Sequence, residues 1–363
     1  MRVAIDARAL GQGRGIARYL EEMLAALAAG FVDDEWVAVV PGDRQVEVPS
    51  GIELRRTRLS SRPLFAAAAL TGRPRLEKLA GGADVCWLPA PAPVACGRRT
   101  PFVLTVHDLS FELRPDDFTA YEQRWLKAAR PRRLAQRAAA VVVDSEATAA
   151  AMTAAAWPVA SDELTIIRAA PSAPVGDAVG ATTSPGGSSP YLLCVGALEP
   201  RKGIDTLAEA EAIPIARRAG LTAPLIVVGE GRLASKLEGV AGVRLVGRQS
   251  DEQLAGWYEG ALALVMASRL EGFGLPPVEA AAHGVPSVLS DLPVFEETLG
   301  EAALTFPVGD ADALAKALVL ISGDATLRDR LGAEAREAVS GLSWASSAAS
   351  LRAVLAGAAG IGR

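Results

Sequence analysis

Two doubly wound α/β domains, facing each other, are what this sequence predicts, and three observations predict them. Short apolar runs alternate with amphipathic helices along nearly all of the 363 residues, the pattern of parallel sheets covered by helices. The alternation falls into two successive series. Between them it collapses across SAPVGDAVGATTSPGGSSP, Ser172 to Pro190, whose Gly, Ser, Pro and Thr content marks a linker. The expected organisation is a first domain over 1–171, a linker over 172–189 and a second domain over 190–344. The length suits two cores of ordinary size.

The elements follow in order. The first series has strand candidates at VAID, EWVAVV, DVCWL, FVLTVHD and AAVVVDS. Each is apolar throughout, as a strand covered on both faces should be. Helical spacing of apolar residues appears in GIARYLEEMLAALAAG, in DFTAYEQRWLKAARPRRLAQRA and in SEATAAAMTAAA. The second series has strands at YLLCVGA, PLIVVGEG, VRLVG, ALALVMAS, SVLSD and AALTF, and SWASSAASLRAVLAGAAG reads as a final helix.

Composition narrows the function classes. Half of the chain is hydrophobic, with 35 Gly and 23 Pro, as in a globular enzyme. The net charge of −5 supplies no global basic field for nucleic acid. The charge is uneven: Met1 to Pro171 carries 22 Lys+Arg against 20 Asp+Glu, and the remainder 15 against 22. Cys86, Cys96 and Cys194 are too few and too scattered for a disulfide framework or a zinc site. MRVAIDARAL reads as a first strand rather than a signal peptide. No run reaches the roughly 20 apolar residues of a membrane span. The expectation is a cytoplasmic protein, one that a lipid-linked substrate would still bring to a membrane surface.

Ligands of such sheets bind where loops at the strand ends meet helix N-termini. Four segments fall there. In ARALGQGRGIARYLEEML, Gly11, Gly13 and Gly15 stand between a strand and a helix. They read either as a turn that lets backbone N–H groups approach an anion or as a flexible connection. In VLTVHDLSF, His107 ends an apolar strand beside Asp108, either as a structural residue or as a hydrogen-bond donor to a substrate. In CVGALEPRKGIDTL, Arg201 and Lys202 follow a strand and precede a helix. Arg grips phosphate oxygens bidentately and Lys adds a point charge, unless both are solvated turn cations. In RLEGFGLPPVEAAAHGVPSV, Glu271 lies just past a strand and Glu279 near the start of the next helix. Either the first-turn carboxylate simply complements the helix dipole, or two acceptor-only carboxylates flanking exposed N–H donors suit a ligand that carries hydroxyls and phosphates together.

The combination of EGFGLPPVE, an E-x7-E pattern from Glu271 to Glu279, with VGALEPRKG upstream resembles the family 4 retaining glycosyltransferases of the GT-B fold. The likeness covers nearly the whole chain, through IDARALGQGRGIARYL, TVHDLSF, VVGEG, VRLVGRQSDEQLAGWYEGA and the SW before the last helix. It implies two Rossmann-like domains with a nucleotide-diphosphate sugar in the cleft between them, and a last helix, 345–363, crossing back onto the first domain. It implies catalytic roles for His107, Arg201, Lys202 and Glu271. Arg201 and Lys202 match the diphosphate-binding pair, Glu279 the acceptor of ribose hydroxyls, and Glu271 and His107 the residues that hold the transferred sugar. Phe273, Gly274 and Leu275 match backbone donors, Gly15 a contact to the diphosphate, and Gly229, Glu230 and Arg248 the border of the nucleobase. No metal or other cofactor is implied, and no D-x-D motif is read as serving as a metal clamp.

DARAL, GIARY and VHDLSF look most like bacterial mannosyl- and hexosyltransferases, which makes GDP-mannose the first expected donor and UDP-glucose the second. The acceptor would be a glycan, a lipid-linked molecule or a small molecule. The basic stretch of Arg124, Lys127, Arg130, Arg132, Arg133 and Arg137 would meet anionic lipid or form a solvated face. The chain departs from the family's pattern at Ala17, at Gly203 where an asparagine often follows the basic pair, at IIRAAPSAP, and at His283, read as helix-end packing. A non-catalytic sugar-nucleotide-binding paralogue is the alternative. A doubly wound oxidoreductase is disfavoured because Ile16 breaks the G-x-G-x-x-G spacing.

Overall fold

A computed structural model describes residues 1–12, 15–160, 163–172, 189–208 and 211–360. Residues 173–188, most of the linker expected from composition, and Gly13 lie outside the described residues. The chain divides into two compact units, one of Met1–Ala169 with Ser343–Arg363 and the other of Ala170–Leu342.

The first unit holds a seven-stranded sheet of β1 (Arg2–Asp6), β2 (Glu35–Val40), β3 (Ile52–Arg56), β4 (Val85–Leu88), β5 (Phe102–Val106), β6 (Ala140–Val143) and β7 (Leu164–Ile166). Its order is β3-β2-β1-β4-β5-β6-β7, with every pairing parallel. Val3 pairs with Trp36 on one side and with Val85 on the other. β1, β2, β4, β5 and β6 are the expected apolar runs, and their residues are almost all buried. β3 and β7 are the two edges. IELRR carries charge on an edge where one face meets water, and LTI is only three residues long. Neither makes a continuous apolar run, which is why the pattern did not expose them.

The long helix expected from Asp117 to Ala138 is two helices, Ala120–Ala129 and Pro131–Arg137. Arg130 between them adopts a left-handed φ of 50°. Pro131 bars a continuous helix because it lacks an N–H and crowds the residue before it. Thr119 and Glu122 form a reciprocal capping box at the start of the first helix.

The second unit holds β8 (Tyr191–Val195), β9 (Leu225–Val228), β10 (Val243–Gly247), β11 (Ala261–Met266), β12 (Ser287–Ser290) and β13 (Ala303–Phe306). All six are runs read as strands from the sequence. The order β10-β9-β8-β11-β12-β13 is parallel and reverses between β8 and β11. That reversal opens a crevice at the C-terminal ends of the two strands.

The final helix, Trp344–Ala359, packs in the first unit along the Gly15–Gly30 helix. Ala348, Leu351 and Leu355 on it are fully buried, and the Trp344 ring meets Tyr19 edge-on at 5.6 Å. Arg352 donates to the buried Asp34 at 2.9 Å, and Ser347 donates to the Arg168 carbonyl at 2.6 Å. Apolar burial supplies most of the docking energy, and the two polar contacts set the register. Leu351→Ala should therefore destabilise the protein by about 2–5 kcal/mol, the usual cost of emptying a buried leucine site. Denaturant unfolding followed by tryptophan fluorescence measures it.

Candidate functional site

The site in the second unit is built where β8 and β11 lie side by side. After β8 the chain makes a tight turn at Pro200–Lys202 and continues into Gly203 at a left-handed φ of 63°. A Cβ on Gly203 would lie 1.8 Å from the Ala267 carbonyl oxygen. Only glycine lets this turn sit flush against the exit of β11. The departure at Gly203 is thus a steric requirement of this chain.

Arg269 fastens the same two segments. Its backbone N–H donates to the Arg201 carbonyl at 2.7 Å, and Nη1 donates to the Pro200 carbonyl at 2.9 Å. Its guanidinium also forks onto both Asp205 carboxylate oxygens at 2.7 and 2.6 Å, a bidentate geometry that Lys cannot reproduce. Burial opposes ionisation of Asp205, but the hydrogen bonds and charge of Arg269 outweigh it and lower the carboxyl's pKa.

The consequence is a charge cluster. Lys202 Nζ lies 2.5 Å from Glu271 Oε1, with the side chains only 13% and 7% exposed, and the Ser268 hydroxyl donates to the same oxygen at 2.6 Å. Ser268 is held in turn by Ser290, whose hydroxyl donates to its carbonyl at 2.5 Å. Cys194 lines the hollow beside Lys202 and Ser268. Burial pushes its thiol up to about 12 despite the lysine's opposing charge, so it stays a neutral packing group.

Glu279 sits in the Leu275–Ala282 helix, entered through Gly274 at a left-handed φ of 88°. It is 3% exposed and accepts a hydrogen bond from the Tyr258 hydroxyl at 2.8 Å on Oε2. Phe273 and Gly274 are buried, and Leu275 and Arg201 half-buried. The exits of β9 and β10, next in the sheet, carry the remaining residues. Gly229 donates its N–H to the Gly247 carbonyl at 2.9 Å, and Glu230 and Arg248 are exposed. His283 caps the Leu275–Ala282 helix and stacks on Tyr258 at 5.6 Å, the helix-end packing expected of it.

In the first unit, His107 follows β5 and is locked between two acceptors. Nδ1 donates to Asp144 Oδ2 at 2.5 Å and Nε2 to the Pro89 carbonyl at 2.8 Å. Both ring nitrogens must then carry protons. Burial opposes the charged ring, but Asp144, by charge and by hydrogen bond, outweighs it with help from Asp108 and Pro89, and the pKa is raised. Tyr19 contacts the ring edge-on at 4.7 Å. Gly15 starts the Gly15–Gly30 helix in an exposed position where a Cβ would meet nothing within 4 Å. Packing within the unit does not require glycine there.

Of the basic stretch, Arg132 is tied to Glu112 and to the Ala155 and Ala156 carbonyls, and Arg137 lies over the Phe102 ring. Arg124, Lys127, Arg130 and Arg133 are exposed. Among the described residues no helix is long and apolar enough to cross a membrane.

Sequence reasoning missed Ser268, Arg269, Asp205, Tyr258 and Asp144. A serine three residues before Glu271, and an aspartate ending the VVVDS strand run, were the available signals. Neither says what it touches until strands distant in sequence are neighbours.

Comparison with known proteins adds a family context. The model of the glycosyl transferases group 1 matches residues 189–324, and that of the glycosyl transferase 4-like domain matches residues 14–169. The O-antigen chain mannosyltransferase B of Escherichia coli is 31% identical over 163 residues, 42% of each chain. A phosphatidyl-myo-inositol mannosyltransferase of Mycobacterium leprae is 36% identical over 154 residues, 40% of each. The chain spans about two-fifths of the length of those curated relatives. Among solved structures, a sucrose-phosphate synthase of Thermosynechococcus elongatus superposes with a TM-score of 0.73 over 98% of both chains at 19% identity, a likeness of fold.

Two outcomes follow from the geometry. Gly203→Ala should cost at least about 1 kcal/mol, since the new methyl is strained both by φ and by the Ala267 carbonyl; thermal unfolding reads it. Asp144→Asn should lower the His107 pKa, followed by NMR of the ring Cε1–H. A raised folded pKa means that the ion pair's contribution to stability is full below the unfolded histidine value of 6.5 and is lost as pH rises through the folded value. The wild-type advantage over Asp144→Asn should shrink in that direction.

Proposed function

We propose that this chain, which belongs to the family 4 glycosyltransferases and has their GT-B fold, transfers a hexose from a nucleotide-diphosphate sugar to an acceptor hydroxyl with retention at the anomeric carbon. One observation carries the reading. Lys202 and Glu271, 69 residues apart in sequence, meet at 2.5 Å at the strand-order reversal of the second unit. A cation for phosphate and a carboxylate for sugar hydroxyls therefore stand together, beside a helix whose buried Glu279 suits a ribose.

In this reading the donor's diphosphate lies against Lys202, Arg201 and the N–H groups of Phe273, Gly274 and Leu275. Glu271 accepts from hydroxyls of the transferred sugar. Glu279 accepts from the ribose, and Gly229, Glu230 and Arg248 border the base. The bond from the anomeric carbon to the leaving phosphate oxygen breaks, and a bond to the acceptor oxygen forms on the same face. The acceptor's proton goes to the leaving phosphate. The cations stabilise the charge that develops there, and a preorganised, partly dry site makes each more effective than in water. No metal is needed for that charge balance. His107, with both ring N–H groups engaged by Asp144 and Pro89, is read as a fixed positive group of the first unit rather than as a mobile acid.

The relatives named mannosyltransferases support mannose as the sugar; GDP-mannose is the first donor to test, with UDP-glucose second. A glycan, lipid-linked or small-molecule acceptor is proposed, the exposed Arg124, Lys127, Arg130 and Arg133 supporting contact with an anionic membrane surface.

Lys202→Ala and Glu279→Gln should each weaken binding of GDP or UDP about tenfold, the scale of one charged hydrogen bond. Unchanged calorimetric affinity in both would overturn the site assignment. Glu271→Gln should reduce sugar transfer far more than it reduces binding of the bare nucleotide. Hydrolysis and transfer assays with both donors separate an enzyme from a non-catalytic binder.

A further inference from the structure

We infer that Tyr258 is a positioning residue for the donor's ribose, acting through Glu279. The inference rests on the reading of Glu279 as the ribose acceptor and adds a residue which that reading does not contain. Tyr258 is 2% exposed, and its hydroxyl donates to Glu279 Oε2 at 2.8 Å. A carboxylate buried to this degree keeps one rotamer only if another group holds it.

The tyrosine is itself held from several directions. It lies in the Asp251–Glu259 helix, whose start is fixed by a capping box between Ser250 and Gln253. Its neighbour Trp257 accepts at its carbonyl from the Tyr191 hydroxyl at 2.8 Å, and the two rings meet edge-on at 5.4 Å. That contact pins the helix to β8. The Tyr258 ring lies 5.6 Å from His283 at an interplanar angle of 18°. His283 closes the Leu275–Ala282 helix, and its carbonyl accepts from Arg336 at 3.1 Å. The ring therefore bridges the helix entering β11 and the helix leaving it, and aims its hydroxyl at Glu279 from a fixed base.

One hydrogen bond from a locked phenol orients the carboxylate before the nucleotide arrives. The ordering cost is met in folding rather than in binding. A phenylalanine would keep the ring stack and the packing and lose only the aim.

The test uses the full chain and four probes: GDP, UDP and the 2′,3′-dideoxy form of each, with binding measured by calorimetry. The wild type should bind one ribonucleotide more tightly than its dideoxy form. Tyr258→Phe should lose about tenfold in affinity for that ribonucleotide and change little for the dideoxy form, which offers Glu279 no hydroxyl. Glu279→Gln, close in shape to the wild type, should show the same selective loss, and adding Tyr258→Phe to it should cost nothing further. Equal losses of Tyr258→Phe on both forms would make the tyrosine a packing residue and overturn the inference. So would full affinity for the ribonucleotide, or an additive double variant. A wild type that cannot distinguish ribose from dideoxyribose would overturn the assignment of Glu279 itself. A wild type that binds neither GDP nor UDP would overturn both donors proposed.

Discussion

The close approach of Gly203 to the Ala267 carbonyl is the constraint on which the second unit's chemistry depends. β8 and β11 are neighbours in the sheet but distant in sequence, so the loops leaving them would diverge unless something held them together. Absence of a Cβ allows the contact, and Arg269 secures it by gripping the Pro200 and Arg201 carbonyls and the Asp205 carboxylate. Lys202 and Glu271 are neighbours because the backbone beneath them has no freedom to part. Each charge is tolerable at its depth because the other is present. A polar cluster that would be costly alone is preorganised as a pair.

The first unit solves a related problem with different residues. Its strands follow the same order, extended by a seventh, and its polar cluster also gathers beyond the C-terminal ends of the sheet. There the cation is His107, held between the Asp144 carboxylate and the Pro89 carbonyl. Lys202 is a nearly buried cation that Glu271 faces directly. His107 is favoured in its charged form by its surroundings, since Asp144 outweighs the burial that opposes the charge. Both units hold a nearly buried cationic group by setting a carboxylate against it.

Around these clusters the aromatic residues act as frames. Tyr19 stands between His107 and Trp344, so the final helix supports the histidine's surroundings although it comes more than 200 residues later. Tyr191, Trp257, Tyr258 and His283 do the same beside Glu279. Aromatic residues are few in this chain. Tyr19 and Tyr258, both fully buried, are rigid side chains with few rotatable bonds and hold their neighbours at low entropic cost.

The sequence by itself determined the two-domain α/β architecture, all six strands of the second sheet, the inner five of the first, and the segments that carry the polar residues. Those features are local: an apolar run or a helical spacing is complete within a dozen residues. It did not disclose β3 and β7, because IELRR is mostly charged and LTI is only three residues long, so neither makes a recognisable apolar run. Nor did it disclose the break at Arg130, although Pro131 announced it, because the helical spacing continues across it. The structure alone decided which polar groups meet. It brought Ser268 to Glu271, Asp205 to Arg269, Asp144 to His107 and Tyr258 to Glu279. Each of these partnerships is set by strand order or by how helices lie on a sheet, quantities that no residue carries and that only the packed chain defines.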